Sequence, residues 1–275
     1  MQSEVLIIEA GKIERHYWID LWRYRELFYI LAWRDIIVRY KQTLLGIVWS
    51  VLRPLITMIV FTIVFSKIAK LPSDGDVPYP ILVFVAMLPW QFFANAFSEA
   101  GNSLIANSSM ISKVYFPRLI VPASSVIVSL VDFFISAFIL TSLMLWYGYF
   151  PDARILFLPI FMLIAFFAAM GTGLWVAALN VKYRDFRYII PFVVQFGLYI
   201  SPVGFSSTIV PEKWRLLYSL NPMVGVIDGF RWALLGVNTP IYLPGMILSL
   251  ILVILIFITG VLYFRRVEKT FVDVI

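Results

Sequence analysis

The sequence predicts an all-α integral membrane protein, with six transmembrane helices, an N-terminal interfacial helix and two short re-entrant helices at the outer face. Three observations carry this. Of 275 residues, 61% are hydrophobic and 14% are Asp, Glu, Lys or Arg, against about 45–50% and about 25% in soluble domains. Six charge-poor stretches reach the roughly 20 residues that a bilayer crossing needs. Lys and Arg are also segregated: fifteen lie in the N-terminal segment, the second-to-third and fourth-to-fifth loops and the C-terminal tail, six lie in the opposite loops, and Arg53 falls within the first span. By the positive-inside rule both termini are cytoplasmic. The same segregation explains the net charge of +6 without nucleic acid. Composition further excludes a soluble enzyme and a disordered chain.

In chain order, residues 1–42 form a cytoplasmic N-terminus, 43–264 the transmembrane domain and 265–275 a cytoplasmic tail. Glu4, Glu9, Lys12, Glu14 and Arg15 leave no apolar core for a cleavable signal peptide. Residues 21–41 mix Trp22, Leu27, Phe28, Leu31 and Trp33 with seven charges, and their amphipathicity is imperfect. They read as a helix at the headgroup level, where aromatic rings and snorkelling Arg are both favoured, or as one partly covered by a soluble partner. The spans follow at 43–66, 79–98, 119–147, 155–179, 188–208 and 242–264. Residues 205–242, outside on this topology, are too apolar for a plain loop and too broken by Pro211, Pro222, Gly236 and Pro240 for a span. They read as two helices of about a dozen residues, near 18 Å each. Pro211-Glu212 opens the first; Asn221-Pro222 caps the second and Gly236 closes it.

No catalytic or metal site is expected. Cys is absent and His16 is alone, so neither thiolate nor multi-histidine metal sites nor thiol nucleophiles can form. The phosphate-cradling G-x-x-x-x-G-K-[ST] is missing, as are H-E-x-x-H and G-x-S-x-G. Two charges inside spans are costly enough to mark function by default: Arg53, about 15 Å deep, and Asp132, about 20 Å deep from the same face. They read as a structural pair, as cavity-exposed positions or as substrate contacts. Ala169, Gly173 and Ala177 form a small-residue ladder suited to close packing within the subunit or to a dimer seam. The loop at 101–118 ends in Lys113, Tyr115, Phe116 and Arg118, a basic-aromatic cluster equally suited to docking a protein and to anchoring at headgroups.

Several segments occur in a telling order: Arg34-Asp35-Ile36-Ile37-Val38-Arg39-Tyr40-Lys41-Gln42-Thr43-Leu44-Leu45-Gly46, then Trp49 and Arg53-Pro54, Lys113-Val114-Tyr115-Phe116-Pro117-Arg118, Tyr183-Arg184-Asp185-Phe186-Arg187 and Leu220-Asn221-Pro222-Met223. From about Leu21 onward the chain resembles the membrane subunit of ABC-2-type polysaccharide exporters of the O-antigen type. The resemblance implies the ABC-2 (type V exporter) fold in a bacterial inner membrane. It also implies a homodimer bound to two copies of a separate ATPase, which would hold ATP and Mg while this chain binds no cofactor. The substrate implied is a polysaccharide on undecaprenyl diphosphate, moved from cytoplasm to periplasm. Arg34, Asp35, Arg39, Tyr40 and Lys41 would then belong to an interface helix, and Lys113, Tyr115, Phe116 and Arg118 to the ATPase-coupling loop. Pro211, Trp214, Asn221, Pro222, Asp228 and Arg231 would belong to outer gate helices at 211–236.

Sliding sugars need apolar faces, for which Phe61, Phe65, Trp90, Phe93, Phe196 and Tyr199 are candidates by depth, with lipid or helix packing as the alternative role. A diphosphate needs cations, for which Arg53, Arg39 and Lys41 are placed. Rival readings are an exporter of capsule, teichoic acid or a small amphiphile, a membrane enzyme acting on lipid-linked sugars, which would need clustered carboxylates or His, and a secondary transporter, which would need paired broken spans or a repeat. The topology is testable because the chain has no native Cys. A cysteine placed at Glu212 is expected to react with an impermeant maleimide in intact spheroplasts; labelling only after permeabilisation would reverse the orientation.

Overall fold

A computed structural model describes residues 17–41, 46–73, 75, 77–183, 185–236 and 241–271. Among these, every regular element is helical. Helices α1 (Tyr17–Arg23) and α2 (Arg25–Lys41) precede α3 (Gly46–Phe61), which continues as a π-helical stretch over Thr62–Ile68. Then come α4 (Tyr79–Ala106), the short α5 (Ser108–Ile111), α6 (Ile120–Trp146), a 3-10 turn at Ala153–Phe157, α7 (Leu158–Lys182), α8 (Phe186–Ile200), α9 (Glu212–Tyr218), α10 (Pro222–Leu235) and α11 (Leu243–Val267). Among the described residues, five stretches are long and apolar enough to cross a membrane: Val48–Ile68, Tyr79–Ala106, Ile120–Trp146, Ala153–Lys182 and Leu243–Val267. The chain is a multi-pass membrane protein.

Helix α4 is apolar around most of its circumference, the pattern of a helix surrounded by protein. It is buried from Ile81 through Trp90 and packs against α3, α6, α7, α8 and α10. The outer helices instead leave bulky apolar side chains exposed, among them Phe138 and Trp146 on α6 and Ile254 and Leu262 on α11. Lipid accepts these groups where water would not.

Close helix approach comes from small residues on α7. Ala169, Gly173 and Ala177 are fully buried or nearly so, and a Cβ on Gly173 would lie 2.7 Å from the Ala100 Cβ of α4. The ladder thus packs within the chain. On another face, a Cβ on Gly171 would lie 2.7 Å from the Phe257 Cα, and one on Gly260 would lie 2.5 Å from the Gly171 carbonyl oxygen, so α7 and α11 cross nearly backbone to backbone.

Four boundaries differ from expectation. The segment expected to span 188–208 is helical only over Phe186–Ile200, fifteen residues or about 22 Å. Ser201 precedes Pro202, whose ring disfavours helical backbone before it, and Ser201 is extended at φ −77°, ψ 152°. Helix α9 has seven residues rather than a dozen, and α10 has fourteen. The interfacial helix starts by Tyr17 and breaks at Tyr24. Helix α4 runs on to Ala106, so the loop begins at Asn107. Thr43, the expected start of the first span, and His16 lie outside the described residues.

Gly171→Ala is expected to lower thermal stability in detergent by about 1–3 kcal/mol, because only backbone can yield. Gly101→Ala, which would meet the movable end of the Ile190 side chain at 2.9 Å, is expected to cost less. Equal losses would contradict the backbone crossing.

Candidate functional site

At the end of the bundle that holds α1 and α2, one arginine ties three helices together. Arg39 of α2 pairs with Asp132 of α6 at 2.7 Å and with Glu99 of α4 at 3.3 Å, and the Tyr40 hydroxyl donates to Asp132. Burial, then the bond to Asp132, raises the Tyr40 hydroxyl above its ordinary pKa, so it stays a donor. Arg34 pairs with Asp35 at 2.7 Å and donates to the Asn107 side chain at 2.8 Å. The pairing of Arg53 with Asp132 considered from depth is not made: Arg53 is exposed, with no ion pair among the described residues, because matched depth does not bring two helix faces together. Lys41 is also exposed. Glu99 gave no sequence signal beyond being a charge near a helix end.

The loop after α4 divides the basic-aromatic cluster. Lys113 is exposed and Tyr115 is 41% exposed, whereas Phe116 is 3% exposed and belongs to the core. Arg118 turns toward the chain end: its backbone N–H donates to the Glu268 carboxylate at 2.7 Å and its guanidinium to the Glu268 carbonyl. The Tyr17 hydroxyl donates to the other carboxylate oxygen at 2.9 Å, and Arg265 lies 4.4 Å from the centre of the Tyr17 ring. Glu268 therefore joins α1, this loop and the end of α11. Sequence reasoning missed Glu268 and Tyr17, whose partners lie 150 and 251 residues away. It also counted Phe116 among the surface aromatics, although a Phe before Pro117 faces inward here.

The candidate channel aromatics form small groups beside α4. Phe61 contacts Phe65 and stacks on Tyr199 with centroids 6.3 Å apart and planes 13° from parallel. Trp90 packs on Phe93 and over Gly197 of α8, while Phe196 lies tilted against Phe192 with centroids 4.2 Å apart. Phe61, Trp90 and Phe93 are buried; Phe196 and Tyr199 are exposed by 51% and 59%. Helix α8 buries only Ile190 and α3 only Pro54, Met58 and Phe61 among its described side chains, which makes them the least covered long helices around α4.

At the opposite end, α9 and α10 secure the unwound chain after α8. The Asn221 side chain caps α10 by accepting from the Met223 N–H at 3.1 Å, Pro222 starts its first turn, and Gly236 closes it at φ +82°. Arg231, 2% exposed, donates to the carbonyls of Phe205 at 2.8 Å and Val203 at 3.3 Å. Tyr79 of α4 donates to the Gly204 carbonyl and Tyr218 of α9 to that of Ile200. Pro211 is the N-cap of α9, Trp214 is exposed on that helix, and Asp228 is half-buried beside a cavity. Arg231→Met is expected to cost about 2 kcal/mol or more, since it strips donors from buried carbonyls. Arg231→Lys, which keeps the charge and donors but not the planar two-nitrogen fork, should recover part of that loss; unchanged thermal unfolding of Arg231→Met would dismiss the role.

The model of the family described as ABC-2 type transporter matches residues 26–235. The O-antigen export system permease protein RfbA of Myxococcus xanthus is 27% identical over 253 residues, covering 91% of this chain and 96% of that protein. A protein of the same name from Klebsiella pneumoniae is 24% identical over 259 residues, covering 91% and 95%. The polysialic acid transport protein KpsM of Escherichia coli is 21% identical over 205 residues, covering 74% and 78%. Matched from α2 through α10 over well more than half its length, the chain belongs to the ABC-2 type transporter family.

Proposed function

We propose that the chain is the membrane subunit of an ATP-driven exporter that moves an undecaprenyl-diphosphate-linked polysaccharide of the O-antigen type from cytoplasm to periplasm. The observation that carries this is its similarity to O-antigen export permeases along 91% of its length. A capsule-type glycan is the second reading, favoured by the likeness to the polysialic acid transport protein. In this proposal the protein sits in the bacterial inner membrane with both termini cytoplasmic. Helix α8 makes the sixth crossing, and α9 and α10 dip in from the outer side.

The active form is a homodimer with two copies of a separate ATPase that binds ATP and Mg, since this sequence has no phosphate-cradling loop. The path runs along the thinly covered α3 and α8, where exposed Phe196 and Tyr199 offer apolar faces to sugar rings. Arg39 is committed to Asp132 and Glu99, which leaves the exposed Arg53 and Lys41 to meet the diphosphate. ATPase motion enters through the exposed Lys113 and Tyr115.

Deleting the gene is expected to remove surface polysaccharide while lipid-linked glycan accumulates inside; wild-type surface glycan would refute this export role. Tyr115→Ala should weaken ATPase pull-down by about tenfold or more, the loss of an interface anchor, at unchanged membrane expression. Unaltered association would remove Tyr115 from the docking surface. Phe116→Ala should instead lower stability by about 3–5 kcal/mol, the usual cost of emptying a core phenylalanine site.

A further inference from the structure

The unwound chain after α8, helices α9 and α10 and the start of α11 line a half-open cavity of about 120 Å³. Since a water needs about 10–15 Å³ of such space, the cavity has room for on the order of ten small heavy atoms, close to one six-membered sugar ring. Its walls include Tyr218 and Tyr242, the charged Arg215 and Asp228, and Ser207 and Thr208. A hydrocarbon chain would make no use of these polar residues, and an anion drawn to Arg215 would also be repelled by the Asp228 carboxylate. A neutral polyol with one C–H face suits both the tyrosines and the polar groups.

The site is also held in shape before any ligand arrives. Arg215 donates to the carbonyls of Val210 at 3.0 Å and Thr208 at 3.1 Å, and Tyr218 donates to that of Ile200 at 2.8 Å. A Cβ on Gly245 would lie 2.6 Å from the Tyr242 ring, so the glycine lets that ring lie against α11. Fixed walls reduce the ordering cost of binding.

We propose that this cavity is a subsite for one neutral sugar unit of the exported glycan, at the end of the bundle opposite Glu268. The inference rests on the polysaccharide-export reading and adds a binding position outside the α3 and α8 faces. Binding here would hold an emerging chain against backsliding while the next units advance.

The test uses the full chain in nanodiscs and, as probe, lipid-free polysaccharide released by mild acid from the strain that carries this protein. Saturation-transfer NMR should show transfer to sugar C–H protons. Tyr242→Ala should weaken half-saturation about tenfold, and Asp228→Asn should weaken it severalfold. Leu217→Ala, an exposed α9 position that does not line the cavity, should bind as wild type. Thermal unfolding identifies a misfolded variant, in which case the other variant decides. Wild-type binding by a folded Tyr242→Ala or Asp228→Asn protein overturns the subsite, as does the absence of any saturation transfer. If deletion of the gene nevertheless abolishes surface glycan, only the subsite has failed; if surface glycan persists, the export reading has failed with it.

Discussion

Backbone carbonyls left behind when a helix ends inside an apolar bundle must find donors in the protein, because lipid supplies none. The end of α8 imposes this constraint. Ser201 to Gly204 are buried yet not helical, and the carbonyls of Ile200, Val203, Gly204 and Phe205 accept from Tyr218, Arg231, Tyr79 and Arg231 again. Each orphaned group would cost about 1–3 kcal/mol by protein mutational measures. The donors come from α4, α9 and α10, so satisfying one broken strand of backbone fixes how three helices meet. Arg231, which in sequence looked like a gate charge, is thereby a structural fork buried among carbonyls.

The bundle consequently has two kinds of surface. Helices α4, α7 and α11 meet through small residues, with Gly171, Gly173 and Gly260 leaving no room for side chains at the crossings. Helices α3 and α8 instead touch α4 through a few rings and leave most of their length uncovered. Close-packed interfaces resist continuous deformation, while sparsely packed ones shift at low cost. Any rearrangement that opens a path is therefore easiest at α3 and α8, beside a core that holds its shape.

Much of this was legible in the sequence, for local reasons. The hydropathy of α6, α7 and α11 located them, and Asn221, Pro222 and Gly236 delimited α10 because caps act within a few residues. The stop of α8 was also encoded, in Ser201-Pro202, but the apolar run through it outweighed the dipeptide. What sequence could not supply was azimuth and distance. Depth made Arg53 a plausible mate for Asp132, yet the guanidinium that reaches Asp132 comes from α2. Glu268 and Tyr17 are unremarkable alone and meaningful only once the fold brings together two positions 251 residues apart. The cluster at 113–118 showed the same limit, since composition cannot tell an aromatic that faces out from one that faces in.

The basic end gives the architecture a mechanical consequence. Glu268 binds the loop through Arg118 and α1 through Tyr17, and it follows directly on α11. Burial, then the Glu268 charge, raises the Tyr17 hydroxyl, which keeps it a donor across the physiological range. A push on the exposed Lys113 and Tyr115 would thus be shared among the loop, α1 and α11, and α11 carries it into α7 at the Gly171 and Gly260 crossing. Arg39 offers a second route, because it grips α4 and α6 from α2. Both routes enter the tightly packed helices, and the second also reaches the start of α3, because the Ser50 side chain there hydrogen-bonds Tyr40 beside Arg39. A displacement at the basic end would therefore move the core, with the start of α3, relative to the thinly covered α8, a shear between a rigid part and a loosely held one.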